Sequence, residues 1–144
     1  MMGTVYETIT IKNHYDIRDA LHGYIKVEGI RQATVEAAVD TGAITLFIPE
    51  ELRQQLGLDI LDERPAFIAN GAVVMVKRTE AVEIHWNDRS MICSPRVIPG
   101  GKEILLGVIP LEEMDLIIDP LKEMLVGAHG NEILHRAVGG IKLL

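Results

Sequence analysis

Short runs of β-forming residues, separated by turn signals, make up most of this chain. Residues 33–39 place Val35, Ala37 and Val39 on one face of a strand, at a period of two. A turn is predicted at Asn70-Gly71, of the two-residue type I′ kind that needs a positive φ at both residues. Many short strands of this kind predict a small β-barrel or folded sheet. The other strand-like runs are residues 4–12, 72–79, 80–86, 89–98 and 104–106, and the other breaks are Asn87-Asp88 and Pro99-Gly100-Gly101.

Helix signals are scarce. The best candidate is residues 49–56, where Pro49 suits the first helical position and the two glutamates after it suit the positive end of the helix dipole. Gly57 supplies the C-terminal stop. A second short helix is predicted over residues 110–115. The length of 144 residues fits one domain with a core of its own.

Composition excludes several classes of function. The net charge is −7 and no lysine and arginine cluster stands out, which argues against binding to nucleic acid or to an anionic membrane. No apolar run approaches the roughly 20 residues of a membrane span. Met1 to Thr10 have neither a basic nor an apolar signal-peptide region, so a cytoplasmic protein is expected.

No metal or cofactor is expected. The single cysteine, Cys93, cannot form an intramolecular disulfide, and its position in a strand-like run is typical of an inert core thiol. The histidines show no spacing that is typical of a metal site. They are His14, His22, His85, His129 and His135.

One strand ends in a carboxylate that is followed by a tight turn. The apolar run that ends at Val39 leads directly into Asp40, Thr41, Gly42 and Ala43. A strand end holds the carboxylate in place, the glycine lets another backbone approach closely, and the threonine hydroxyl can hydrogen-bond within the loop. This arrangement suits acid–base chemistry, although an ordinary turn after a strand has the same residue types. The tripeptide alone leaves both interpretations open.

Together with other segments, this motif resembles that of the retropepsin-like (retroviral-type) aspartic peptidases, in particular their small bacterial members. Leu105, Leu106 and Gly107 are similar to the apolar-apolar-glycine element before the family's C-terminal helix. Residues 111–120 are similar to a helix-then-strand segment of the bacterial members, and the hairpin 66–77 falls where the family places its flap. Alone, the first would be a core strand ending at a glycine turn, and the hairpin an ordinary surface turn. Their order and spacing together favour the family.

The resemblance implies an all-β, small closed β-barrel-like acid-protease fold, with one or two short helices and a single domain per subunit. It covers residues 4–126. The peptidase domain is accordingly predicted as residues 1–126, and residues 127–144 as a C-terminal tail without an assigned structure.

The resemblance also implies a role for each residue of the site. Asp40 would be the one catalytic carboxylate of each chain, so the second must come from the other subunit of a homodimer. Thr41 matches a position that hydrogen-bonds across the dimer, and the backbone of Gly42 and Ala43 would contact the peptide substrate. A mildly acidic optimum is expected, because the two carboxylates must hold one proton between them. The flap tip would consist of Ala69, Asn70, Gly71 and Ala72.

Two positions depart from the viral members. Those members follow the motif with an acidic residue, which pairs with an arginine just after the second glycine, and here the positions hold Ile44 and Val108. Residues 49–58 look like an added helix between the motif and the flap. The chain is predicted to be an aspartic endopeptidase. The alternative is a non-catalytic dimeric β-module that binds extended peptides.

Overall fold

A computed structural model of the chain describes residues 3–133 and the backbone of residues 135–136 and 142–143. Strands dominate it, and none of its helices in these ranges is long and apolar enough to cross a membrane. The strands are β1 Val5–Asn13, β2 Gln32–Val39, β3 Leu46–Phe47, β4 Ile60–Phe67, β5 Val73–Thr79, β6 Val82–Trp86, β7 Arg89–Cys93, β8 Arg96–Val97, β9 Leu105–Leu106, β10 Leu116–Asp119, β11 Met124–Gly127, β12 His135–Arg136 and β13 Lys142–Leu143. The helices are α1 His14–Leu21, α2 Glu50–Gln55 and α3 Val108–Glu113, with a 3-10 turn at Val27–Gly29.

Nine of the described strands form one mixed sheet in the order β4-β5-β8-β3-β9-β2-β1-β6-β7, and β10–β11 and β12–β13 form two hairpins. Strand β2 lies inside the sheet, antiparallel to β1 on one side and parallel to β9 on the other. The prediction of a mostly-β single domain with few short helices is confirmed. The described pairings leave β4 and β7 as the two ends of the order, and closure of the sheet into a barrel stays a prediction.

The core is built from aliphatic side chains on alternating positions of these strands. On β1, Ile9 and Ile11 are fully buried, and on β2, Ala37 and Val39 are buried on the face predicted by their spacing. Burying one such large aliphatic side chain contributes about 1.5–3 kcal/mol. Further fully buried apolar side chains are Leu46, Leu56, Leu58, Val82, Ile84, Leu106, Met114 and Leu125.

Helix α1 was not predicted from the sequence, and contacts with distant residues explain why it forms. The side chain of Asn13 caps it by accepting a hydrogen bond from the backbone N–H of Asp16 (3.0 Å), and its Nδ2 donates to the carbonyl of Leu56 (2.8 Å). The buried carboxylate of Asp16 accepts from Nε and Nη2 of Arg31 at 2.8 and 2.9 Å. A helix of eight residues is marginal alone, so these contacts decide it.

Three local predictions need correction. Strand β4 was not predicted, because its exposed residues fall on both faces and show no alternation. The run 89–98 divides into β7 and β8 at Pro95, which has no N–H for a strand ladder. Pro49 lies at the N-cap of α2 rather than at its first helical position.

The segment after β11 is attached to the domain through one buried arginine. Arg89 of β7 donates to the carbonyls of Met114 (2.7 Å), Asp115 (2.6 Å) and Gly130 (2.5 Å). This contact holds the first described residues of the predicted tail against the sheet. The domain boundary at residue 126 stays a prediction, and much of the tail beyond residue 133 lies outside the described residues.

Candidate active site

The carboxylate of Asp40 lies at the end of a strand that is held on both sides. Ala38 and Val39 of β2 pair with Leu105 and Leu106 of β9 in parallel register. The pairing continues one residue further, because the N–H of Asp40 donates to the carbonyl of Leu106 at 3.0 Å. On the other side, Val39 pairs with the first residue of β1. The half-buried Asp40 therefore starts from a backbone position that the centre of the sheet determines.

The turn after Asp40 binds the carboxylate itself. The N–H of Ala43 donates to the carbonyl of Asp40 (3.1 Å), and the N–H of Gly42 donates to its Oδ1 (2.8 Å). Within the described residues this is the one hydrogen bond to the carboxylate, so Oδ2 is available to a reactant. Gly42 suits this bond, because a Cβ there would lie 3.1 Å from Oδ1. Thr41 is exposed, and its predicted bond across a dimer stays a prediction.

The structure brings the second glycine element against this turn. Three successive N–H groups, from Gly107, Val108 and Ile109, donate to the carbonyls of Thr45 (3.0 Å), Ala43 (2.9 Å) and Ile44 (3.0 Å). A Cβ at position 107 would lie 2.4 Å from the carbonyl oxygen of Thr45 and 2.5 Å from that of Ala43. Only glycine fits so close to two carbonyl groups. Two motifs that are about 65 residues apart thus form one rigid unit.

The predicted flap hairpin exists, but its turn differs from the expected one. Only Gly71 has a positive φ (83°), so Asn70-Gly71 is not a type I′ turn. A five-residue loop, residues 68–72, joins β4 and β5 instead. The N–H of Gly71 donates to the carbonyl of Ile68 (2.9 Å), and Oδ1 of Asn70 accepts from the N–H of Ala72 (2.8 Å). The Asn side chain closes the tip locally, which leaves its residue in an ordinary conformation.

The hairpin tip and the Asp40 turn are not joined by a described hydrogen bond. Ala69, Asn70, Gly71 and Ala72 are all exposed. Below them, Phe67 and Val73 stand opposite each other and are 81% and 58% exposed, so the outer end of the hairpin presents apolar surface. Further along β5, Val74 is half-buried and Val76 is buried.

Two adjoining cavities extend beside the strand that neighbours Asp40. One, of about 300 Å³, is lined by Phe47, Leu105 and the loop 98–103. The other, of about 600 Å³, is lined by residues 49–51, Lys77 and the loop 97–102. Asp40 lines neither cavity, so in a single chain its carboxylate stands at an open edge. Phe47 was not among the predicted site residues, although the apolar run 45–48 directly after the motif could have indicated it.

The surroundings of Asp40 carry no other charge. Residues 41–49 and 104–111, the two segments that form this unit, contain no acidic or basic side chain. The Cys93 thiol lies against Thr45 and Leu46, and burial raises its pKa to about 11, although hydrogen bonds with those two residues oppose the shift. Among the residues whose side chains are described, no three His, Cys, Asp or Glu are grouped to hold a metal ion. His135 lies outside that set, and the expected lack of a metal stays a prediction.

Comparison with known proteins agrees with this geometry. The family described as "gag-polyprotein putative aspartyl protease" matches residues 26–113. This range is more than half of the chain and includes both glycine elements. The chain belongs to this family. The resemblance to retropepsin-like aspartic peptidases is thereby confirmed, and the aspartic acid of the family's motif corresponds to Asp40.

Solved structures give the same fold. The retroviral protease-like domain of Ddi1 from Leishmania major matches with a TM-score of 0.54 and 15% identity, over 88% of this chain and 89% of that one. A retropepsin-like aspartic protease from Rickettsia conorii matches with a TM-score of 0.43 and 19% identity, over 83% of this chain and 90% of that one. No curated protein sequence matches the chain. At these identities the structural likeness supports the fold alone.

Proposed function

We propose that the protein is an aspartic endopeptidase that works as a homodimer, with Asp40 of each subunit in one shared site. The observation that supports this most is the state of the Asp40 carboxylate. Its Oδ1 is held by the N–H of Gly42 at 2.8 Å, while Oδ2 has no partner among the described residues. A carboxylate that is oriented by one oxygen and open at the other suits general acid–base catalysis.

The need for two copies follows from the chemistry. Peptide hydrolysis of this class uses two carboxylates that share one proton across a water molecule. Asp40 is the one acidic residue in the two segments that form the site, and the chain contains Asp-Thr-Gly once. A two-fold axis between two Asp40 side chains would supply the second carboxylate, and C2 is the commonest symmetry of soluble oligomers. It would also close the open edge at which Asp40 stands in one chain.

The reaction that this pair would carry out has balanced proton transfers. The ionised carboxylate accepts a proton from water as the water oxygen attacks the carbonyl carbon of the peptide bond. The protonated carboxyl donates a hydrogen bond, and then its proton, to the carbonyl oxygen, which gives a tetrahedral diol. The diol collapses when one hydroxyl returns its proton to a carboxylate and the other carboxyl protonates the departing nitrogen. One proton remains on the pair after each turnover.

The substrate we propose is an extended peptide with apolar side chains near the cut. The cavity of about 300 Å³ is lined by the apolar side chains of Phe47, Ile48, Ile98 and Leu105, and it adjoins the strand that binds Asp40. Apolar pockets with a few polar groups are typical of binding sites in proteins. The exposed Phe67 and Val73 on the flap hairpin would cover such a peptide. Main-chain pairing with a strand would hold it in register.

A comparison of wild type with Asp40→Asn tests the proposal. The variant keeps the size of the side chain and its capacity to accept from Gly42, so we expect the same fold and oligomeric state. Loss of the acid–base group should lower kcat/KM by at least about 10³-fold on an unstructured protein substrate at mildly acidic pH. Pepstatin-type inhibitors should block cutting by the wild type. Asp88→Asn, in the exposed turn between β6 and β7, is the matched control and should cut normally.

Two outcomes would contradict the proposal. If a folded wild-type dimer cuts nothing in a broad peptide library at any pH, the protein is better described as a peptide-binding module. The replacement of the viral ion-pair residues by Ile44 and Val108 is the feature that fits this second function. If the protein remains a monomer at every concentration and pH, the second carboxylate is missing and the mechanism is wrong.

A further inference from the structure

An uncharged apolar patch surrounds the open edge at which Asp40 stands. Ile44 and Ile109 are 50% and 46% exposed, and Val108 beside them is half-buried. The three residues form one surface, because the N–H of Ile109 donates to the carbonyl of Ile44 (3.0 Å) and the N–H of Val108 to that of Ala43 (2.9 Å). We call Ile44, Val108 and Ile109 the 44–109 patch. Large aliphatic side chains this exposed, beside a reactive carboxylate, suggest a surface that something covers.

The proposed mechanism limits where a second subunit can lie. Two carboxylates that share a proton lie about 3 Å apart, so the two-fold axis passes within about 2 Å of Asp40. Ile44 follows four residues later, and even an extended chain of that length spans no more than about 14 Å. The turn bond from Ala43 to Asp40 (3.1 Å) makes the real separation shorter. The patch therefore lies at or next to the subunit contact.

We propose that the 44–109 patch packs against a second copy of this chain, as an apolar contact that supports the paired Asp40 loops. This inference rests on the proposed function, because it uses the shared pair of carboxylates to place the axis. Residues 41–49 and 104–111 contain no charge, so this part of each subunit offers no ion pair to the other. The contact next to the site depends on burial of Ile44, Val108 and Ile109.

The chemistry of the contact has a measurable consequence. Salt screens charge pairs, and the Debye length falls from about 10 Å at 0.1 M to about 3 Å at 1 M. Apolar contacts are not screened in this way, and salts that are excluded from protein surfaces strengthen them. The dimer should consequently keep or improve its dissociation constant as sodium chloride, or sodium sulfate, rises through this range.

The test combines Ile44→Glu with a matched control. Sedimentation equilibrium of the full chain gives the dimer dissociation constant. Ile44→Glu would place a charge from each subunit into an apolar contact near the axis, and we expect it to weaken the dimer at least about tenfold. Ile92→Glu makes the same change on β7, at the far end of the sheet order, where Ile92 is 53% exposed, and should leave the constant unchanged. Ile44→Leu should dimerise like the wild type.

The outcomes separate this inference from the proposed function. If Ile44→Glu weakens the dimer, and its remaining cutting activity recovers as protein concentration rises, both stand. If wild type cuts peptides but Ile44→Glu dimerises normally, the patch is not a subunit contact, and a raised KM would mark it as a substrate contact instead. A wild-type dimer that dissociates as salt rises would mean that charged groups dominate its interface, and would overturn the inference while the peptidase mechanism remained. If Asp40→Asn, proposed above, keeps cutting, the mechanism itself is wrong.

Discussion

Replacing Gly107 by alanine would place a methyl group inside the backbone of the loop that carries Asp40. The added Cβ would lie 2.4 Å from the carbonyl oxygen of Thr45 and 2.5 Å from that of Ala43, where ordinary contact begins at 3.4 Å. The shortfall is about 1 Å at both atoms. At position 107 φ is −91°, a value that any residue adopts, so the cost comes from space and not from the backbone conformation.

The size of the effect follows from the hydrogen bonds that would have to lengthen. Three bonds of 2.9–3.0 Å join residues 107–109 to residues 43–45, and a shift of about 1 Å removes them as hydrogen bonds. Each contributes about 0.5–1.5 kcal/mol, and forcing extra volume into a packed site costs about 1–3 kcal/mol. We expect a loss of about 3–5 kcal/mol in the free energy of unfolding. A domain of this size would then melt roughly 6–20 °C lower.

The same shift should reach catalysis, because the loop that moves is the one that orients Asp40. A misplacement of about 1 Å at a catalytic group costs about 10²-fold in rate, which is the loss in kcat/KM that we expect for Gly107→Ala. Stability is measured by urea unfolding at one fixed protein concentration, because a dimer unfolds in a concentration-dependent way. Gly29→Ala is the control, since a Cβ there meets nothing closer than Ile25 at 3.7 Å.

The reasoning would be refuted if Gly107→Ala were within about 1 kcal/mol of wild type while Gly29→Ala behaved as expected. That result would mean that residues 43–45 can move away from β9 without loss. It would also mean that the close approach of the two motifs does not hold the site together.

Two further predictions concern ionisable groups away from Asp40. Hydrogen bonds from Arg31 hold the pKa of Asp16 below its usual value of 3.8, so this carboxylate stabilises the fold above that pH and stops doing so as pH falls through the lowered value. Asp16→Asn should therefore cost about 1–2 kcal/mol at neutral pH, an amount discounted because Arg31 is half exposed, and the difference from wild type in urea unfolding should vanish in strong acid; a difference that does not change with pH would rule out the ion pair as its cause. For Cys93, a rise in pKa from 9.0 to about 11 is two units and lowers the thiolate fraction about a hundredfold, so the folded protein should react with a disulfide reagent about a hundred times more slowly than the same chain in urea. Equal rates would show that the thiol is accessible and ordinary in the folded state.

Much of the site could be recognised from the sequence, because its signals are local. The alternation of Val35, Ala37 and Val39 predicts β2, and the strand then delivers Asp40 into a turn whose residue types are themselves the signal. The apolar pair before Gly107 predicts the second element in the same way. Such patterns are readable because side-chain direction along a strand has a period of two, whatever the strand later pairs with.

Other features had weak local signals, or misleading ones. Helix α1 depends on the pairing of Asp16 with Arg31, 15 residues away, and on the bond from Asn13 to Leu56, 43 residues away. Strand β4 is exposed on both faces, so it lacks alternation. At Asn70 the side chain closes the turn by bonding the N–H of Ala72, which an Asn-Gly pair does not distinguish from a type I′ turn.

The motif, the β-rich character and the family can thus be read from the order of residues, because each rests on neighbours within one strand or turn. The tertiary structure alone decided that residues 43–45 and 107–109 bond to each other, that Phe47 and Leu105 line one cavity, and that Ile44 and Ile109 stand exposed beside Asp40. These facts depend on which strands become neighbours in the sheet. That choice is made by the packing of the whole core, and no short stretch of sequence records it.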